Sequence, residues 1–280
     1  MNSIQSILNA AYDILQHSSE SARLDAEILL CKVLEKDRAY LRAWPERVLP
    51  QEQQNSFQLL LKKRIQGQPI AYITGHKEFW SRDFIVNQHV LVPRPETELL
   101  VELALDLIPD NWTGTVLDLG TGSGVIGITI AAERPTINVI ATDTSQQALD
   151  VAKANAQQHK IDNIQFRLSH WFKQLDDQQF DLILSNPPYI DAADPHLQQG
   201  DVRFEPESAL IAKQNGLQDI IEIAEATKHH LLPGGYLLVE HGYNQKQPVQ
   251  SIFQQSNYSN ISNHRDLVGQ PRVTMGQWQT

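Results

Sequence analysis

"TVLDLGTGSGVIGITIAAER", Thr115 to Arg134, is the stretch that decides the fold. A short apolar run of strand character leads into glycines at alternate positions, Gly120, Gly122 and Gly124. An apolar segment of helical spacing follows. Glycine tolerates positive φ and lets a ligand come close to the backbone. The start of the helix beyond offers free amide groups and a partial positive charge. Gly120, Thr121, Gly122, Ser123 and Gly124 are therefore candidate ligand-cradling residues.

Outward from this unit the alternation continues. "NVIATD" (138–143) is predicted to be a strand and "SQQALDVAKANAQQHK" (145–160) a helix with Ser145 as its cap. "IQFRLS" (164–169) and "FDLILSN" (180–186) are predicted strands. "LQDIIEIAEATKHHLL" (217–232) is predicted to be a helix ended by Pro233 and Gly234, before the strand "GYLLVEH" (235–241). Strands alternating with helices imply an α/β domain, with a mostly parallel sheet covered on both faces.

The first 75 residues read differently. Ile4, Ile7, Leu8, Ala11, Ile14 and Leu15 share one helical face. "LDAEILLCKVL" and "FQLLLKKRIQ" continue as helices, the latter stopped at Gly67 and Pro69. The expected organisation is a helical domain over 1–75, a hairpin or linker over 76–95 and the α/β domain over 96–280. "ETELLVELALDLI" (96–108) returns to helical spacing, capped by Thr97 or the acidic residues before it.

Composition narrows the class. The chain has 280 residues, 41% of them hydrophobic, enough for a sizeable core. Cys31 is its one cysteine, so no internal disulfide can form; a reducing, cytoplasmic setting is expected, with Cys31 an inert buried thiol. Neither a signal peptide nor a membrane span is expected. Net charge is −10; residues 1–75 hold nine Lys/Arg against eight Asp/Glu, and the rest 14 against 25. That balance argues against nucleic acid as the main partner, because a duplex binder must neutralise phosphates. Ten histidines, His229, His230 and His241 among them, show no metal-ligand spacing, and no metal is expected.

The glycine loop alone leaves its ligand open. Gly122, Gly124 and Gly127 also satisfy the dinucleotide fingerprint, and Asp143 closes the next strand where an acid can accept from ribose hydroxyls. A dehydrogenase and a methyltransferase both remain possible at this point. "SNPPYI", Ser185 to Ile190, separates them. Asn186 stands at the carboxyl end of a strand and supplies an acceptor oxygen. Pro187 and Pro188 stiffen the turn, so that a backbone carbonyl can be aimed as a second acceptor. Tyr189 supplies a flat face. Together they suit a planar –NH₂ group. Such a nitrogen is a poor nucleophile, and two acceptors on its hydrogens favour charge build-up there in the transition state. A hydride carrier has no use for this arrangement.

"DLGTGSG", "NPPYI", "LVPRPETE" (91–98), "DPHLQQGDVRFEPESAL" (194–210) and "RDLVGQPRVTMG" (265–276) resemble the HemK family of class I S-adenosylmethionine-dependent methyltransferases. Its members are glutamine N5-methyltransferases of peptide-chain release factors. The resemblance spans nearly the whole chain and implies a Rossmann-like α/β domain with a small N-terminal helical domain. It implies that Gly120 to Gly124 cradle the methionine part of S-adenosylmethionine, Asp143 binds the ribose, and Trp171 packs on the adenine. It implies that Asn186 and the Pro188 carbonyl hold the glutamine amide of the Gly-Gly-Gln tip of class 1 release factors, with Tyr189 against its plane. The family usually has Asp before the tryptophan; here it is His170, which puts one adenine contact in doubt. The helical domain is expected to dock the release factor, and the enzyme to be a monomer. The resemblance puts Arg94, Glu96 and Thr97 near the cofactor and substrate cleft, with a structural role in the linker as the other reading; Glu205 and Pro206 belong to a loop, either near the substrate or plain. The competing readings are a glutamine methyltransferase of a ribosomal protein, an adenine-N6 DNA methyltransferase and a non-catalytic release-factor-binding module.

Overall fold

The computed structural model describes residues 2 to 279. Contacts divide the chain into two compact units: 1–76 with 195–204, and 77–194 with 205–280.

The first unit is helical: α1 (Ile4–Leu15), α2 (Ala22–Leu34), α3 (Arg38–Ala43), α4 (Gln51–Ile65) and α5 (Ile70–Thr74). Ser3 caps α1 by accepting from the Ser6 amide, and Asp37 caps α3 through the Tyr40 amide. Ile4, Leu15, Leu29, Leu30 and Leu49 meet in its core. Cys31 lies at the margin of this core, partly buried, and burial raises its thiol pKa. Arg64 is buried beneath the core and donates to Asp25 at 2.7 Å and to Asp201 at 2.6 Å. Asp201 belongs to the segment 195–204, which sequence order would put in the α/β domain. The Arg64 pair, and Arg203 donating to the Gln66 carbonyl at 3.0 Å, attach that segment to the helices.

The second unit opens with a hairpin, β1 (His76–Phe79) and β2 (Arg82–Ile85), and then α6 (Glu98–Leu107). Next come β3 (Thr115–Leu119), α7 (Val125–Glu133), β4 (Asn138–Asp143), α8 (Gln146–His159), β5 (Ile164–Leu168) and β6 (Phe180–Ser185). Short β7 (Ile190–Asp191) and β8 (Ile211–Ala212) pair with each other. One-turn α9 (Lys213–Gly216), α10 (Gln218–Thr227), β9 (Leu231–Glu240), α11 (Lys246–Gln255), β10 (Ser259–Arg265) and β11 (Pro271–Gln277) complete the chain. The central sheet runs β10-β11-β9-β6-β3-β4-β5. It is parallel from β9 to β5, with β10 and β11 antiparallel at one edge.

Alternation along each strand sends neighbours to opposite faces. Val116, Val139 and Leu182 share register and join one core, with Leu100 and Val101 of α6 and Ile128 of α7. Leu117, Ile140 and Ile183, one residue on, join the other, with Ile220 and Ile223 of α10. Both faces of the sheet are thus covered, as helix-strand alternation predicts.

The helix expected over 217–232 is corrected: α10 ends at Thr227, and Leu231 already pairs with Phe180. Pro233 and Gly234 stand inside β9, where the register slips between Phe180 and Leu182. Such a bulge accepts a residue without N–H, and Gly234 at φ +82° makes the bend. The Thr97 cap of α6 is also corrected. Thr97 precedes the helix but makes no capping bond; its hydroxyl is engaged elsewhere.

Candidate active site

β3 is the point where strand order reverses. The chain runs from β3 to β4 and β5 on one side, then returns to β6 on the other. Ligands bind beyond the carboxyl ends of the strands at such a switch point. A cavity of about 430 Å³ lies there, within the second unit.

Its floor is the glycine loop. Gly120 and Gly124 have φ of +72° and +87°. A Cβ on Gly124 would lie 2.5 Å from Ile128 Cδ1, so only glycine lets α7 start there. A Cβ on Gly122 would meet nothing within 4 Å; the backbone at that point is open to a ligand. The loop is braced by carboxylates. Asp118 Oδ2 accepts from Thr121 Oγ1 at 2.6 Å and from the Gly127 amide at 3.0 Å. Full burial raises the Asp118 carboxyl to about 6. Asp143 Oδ2 accepts from the Gly122 amide and Oδ1 from the Ser145 amide, both at 2.9 Å. Burial raises this carboxyl as well. Each carboxylate oxygen has two lone pairs, so Asp143 retains capacity for a ligand hydroxyl.

Trp171 forms a side wall. Its indole passes over Gly120, where a Cβ would lie 3.5 Å from Cζ3. His170 lines the same wall, edge-on to Trp171 and 3.6 Å from Glu222. Asp219, at the start of α10, adds a carboxylate to this wall that the sequence did not single out. Burial and Glu222 raise it, in that order.

The opposite wall holds Asn186 and Pro188. Pro187 is buried behind them. Asn186 Nδ2 donates to Thr97 Oγ1 at 3.2 Å. Tyr189 packs on the core that contains Leu117 and Ile183, and its phenol is 3.4 Å from Glu240 Oε1. Burial, then the Glu240 charge, raise the phenol above its usual range. Gln245 Nε2 fixes the Tyr189 carbonyl at 2.9 Å. Over the cavity, Arg94 pairs with buried Glu205, whose Oε2 accepts from the Val92 amide at 3.0 Å.

Two supports escaped the sequence reading. Asn155, fully buried in α8, accepts from the Ile85 amide and donates to the Ile85 and Ser123 carbonyls, tying hairpin to glycine loop. Glu240, at the end of β9, sits under Tyr189 and Thr97. A polar residue on the apolar face of a predicted helix or strand was the one available signal, and it does not name a partner. Among the described residues no group of three or more His, Cys, Asp or Glu could hold a metal ion. None of the described helices is long and apolar enough to cross a membrane.

A doubly covered parallel sheet with a glycine cradle and an Asn-Pro-Pro-Tyr turn at its switch point defines a methyltransferase. Comparison with known proteins agrees: residues 96–203 match the methyltransferase small domain and residues 6–75 the PrmC N-terminal domain. The chain is 46% identical to the release factor glutamine methyltransferase of Aliivibrio fischeri, over 99% of this chain and 98% of that protein. It is 48% identical to the enzyme of the same name from Vibrio cholerae, over 99% and 97%. The chain belongs to the release factor glutamine methyltransferase family. A Thermus thermophilus 16S rRNA methyltransferase, solved in complex with AdoMet and guanosine, shares the fold: TM-score 0.53, 13% identity, 73% of this chain and 50% of that one.

Proposed function

We propose that this protein transfers a methyl group from S-adenosylmethionine to the side-chain amide nitrogen of the glutamine in the Gly-Gly-Gln tip of class 1 release factors. Membership of the family supports the reaction. The single observation that carries the residue roles is the orientation of Asn186: its Nδ2 is engaged by Thr97, which leaves Oδ1 as an acceptor on the cavity wall.

The cavity fits the cofactor. The open backbone at Gly122 takes its methionine part, the Asp143 carboxylate its ribose hydroxyls and the Trp171 indole its adenine. When bound, the cofactor supplies an electrophilic methyl on sulfonium. The remaining work falls to the chain. Asn186 Oδ1 and the Pro188 carbonyl accept the two amide hydrogens of the glutamine. This holds the nitrogen in one orientation and stabilises the positive charge that develops on it until one of its two protons leaves to water. Pro187, buried, keeps the turn stiff, and Tyr189 sets its far end. The helical unit docks the body of the release factor. The enzyme works as a cytoplasmic monomer without a metal.

Methyl-labelled S-adenosylmethionine distinguishes this reading from its rivals. Purified release factor, ribosomal proteins and DNA are offered side by side. Label on the release factor alone is expected; label on ribosomal protein or DNA alone would replace the proposed substrate.

A further inference from the structure

Resting on the reading that Asn186 holds the substrate amide, we propose that Thr97 is a positioning residue: its hydroxyl, which accepts from Asn186 Nδ2, dictates which end of the Asn186 amide faces the substrate. An asparagine amide has an acceptor end and a donor end of nearly the same shape, and only the acceptor end can hold a substrate –NH₂. Something must choose between the two orientations.

The choice follows from hydrogen-bond direction. Thr97 is 3% exposed, and its Oγ1 receives Asn186 Nδ2 at 3.2 Å. A hydroxyl has a single proton. Burial raises the Glu240 carboxyl to about 7, and the neighbouring Thr97 hydroxyl opposes that rise by favouring its charged form. Glu240 is 1% exposed, and Oε2 has no close hydrogen bond of its own, so a lone pair stands ready there. Above about pH 7 this carboxyl is ionised and only accepts. With its proton directed to Glu240, Thr97 can only accept from Asn186. The –NH₂ end is therefore drawn inward and Oδ1 is left for the cavity. Were the amide reversed, Thr97 would have to turn its proton to Asn186 and leave Glu240 buried without it.

Glu240 anchors the other end of the tetrapeptide as well, through the Tyr189 phenol at 3.4 Å. Thr97 stands just before α6 yet makes no capping bond, so its hydroxyl serves the active site and not the helix.

The test uses the full chain with S-adenosylmethionine and release factor. Thr97→Val removes the hydroxyl at nearly constant shape; Thr97→Ser keeps it. The expected result for Thr97→Val is a fall in kcat of about 10- to 100-fold, with cofactor affinity and melting temperature close to the parent. Thr97→Ser is expected to recover most of that loss. Full turnover in Thr97→Val beside a dead Asn186→Ala would overturn the role of Thr97 alone. Full turnover in Asn186→Ala would overturn the reading of Asn186 and this inference with it. Equal loss in Val and Ser, or a fall in melting temperature that accounts for the loss, would reduce Thr97 to a packing role.

Discussion

The two walls of the cavity are held in opposite ways. The glycine loop is braced locally: Asp118 reaches Thr121 three residues on and Gly127 nine residues on, and Asp143 reaches back 21 residues to Gly122. The Asn-Pro-Pro-Tyr turn is braced from afar: Thr97 lies 89 residues from Asn186, Glu240 lies 51 from Tyr189, and Gln245 lies 56 from the carbonyl it fixes. The glycine-loop side is in effect one continuous run of chain, β3 to α8, with Asp143 and Asn155 both bonded to the loop. The Asn-Pro-Pro-Tyr side exists only once the sheet is assembled and β9 has brought Glu240 to Tyr189. Cofactor affinity and methyl transfer should therefore respond to different substitutions.

The largest expected effect is on the substrate side. Asn186→Ala should lower turnover by several kcal/mol, about 100- to 1000-fold, the scale of losing one group that stabilises transition-state charge. Cofactor affinity, measured by calorimetry, should stay within about twofold. A matching loss of cofactor affinity would dissolve the distinction between the two walls.

Asp118→Asn tests the bracing of the glycine loop through pH. The Asp118 carboxyl stands at about 6 in the folded protein against an ordinary 3.8. A raised folded value means that the stability it contributes is full below pH 3.8 and is lost as pH rises through 6. The parent should thus lose on the order of 3 kcal/mol between pH 4 and pH 7 from this group, and Asp118→Asn should lose much less. Denaturant unfolding at the two pH values checks it; parallel pH profiles for parent and variant would rule it out.

Asp143→Ala should weaken S-adenosylmethionine binding by about 10- to 100-fold, the scale of hydrogen bonds to a charged group. Turnover at saturating cofactor should change less. Unaltered affinity would remove the ribose assignment. The smallest effect is expected at Asp201 of the helical unit. Asp201, with its side chain 40% exposed, should lose at most about 1 kcal/mol of stability on change to Ala, because an exposed partner contributes little. Arg64→Met, which strips buried Asp25 of its partner, should cost about 3 kcal/mol. Thermal unfolding of the two variants gives the ranking, and equal losses would contradict it.

The same contrast explains how much the sequence disclosed. The strand, glycine loop and helix over 115–134 were legible because their determinants are adjacent, as was Ser145, which caps α8 through the Ala148 amide. Pro233 and Gly234 misled because they are ordinary helix stops; only the pairing of Leu231 with Phe180 shows that they serve a bulge. Thr97 was legible as a residue at a helix start and not as a neighbour of Asn186, since no local pattern encodes a contact 89 residues away. The segment 195–204 is similar: its attachment to Arg64 depends on one buried charge in a distant helix.

On the proposed reading the cavity receives a carboxamide and its nitrogen is methylated. The most direct measurement is the intact mass of release factor after incubation with the enzyme and S-adenosylmethionine. Three substrates are compared: the native tip, the tip Gln→Glu and the tip Gln→Ala. One added methyl on the native factor and none on the two variants is the predicted result. A methyl on either variant would contradict the account, because neither offers an amide nitrogen at the tip.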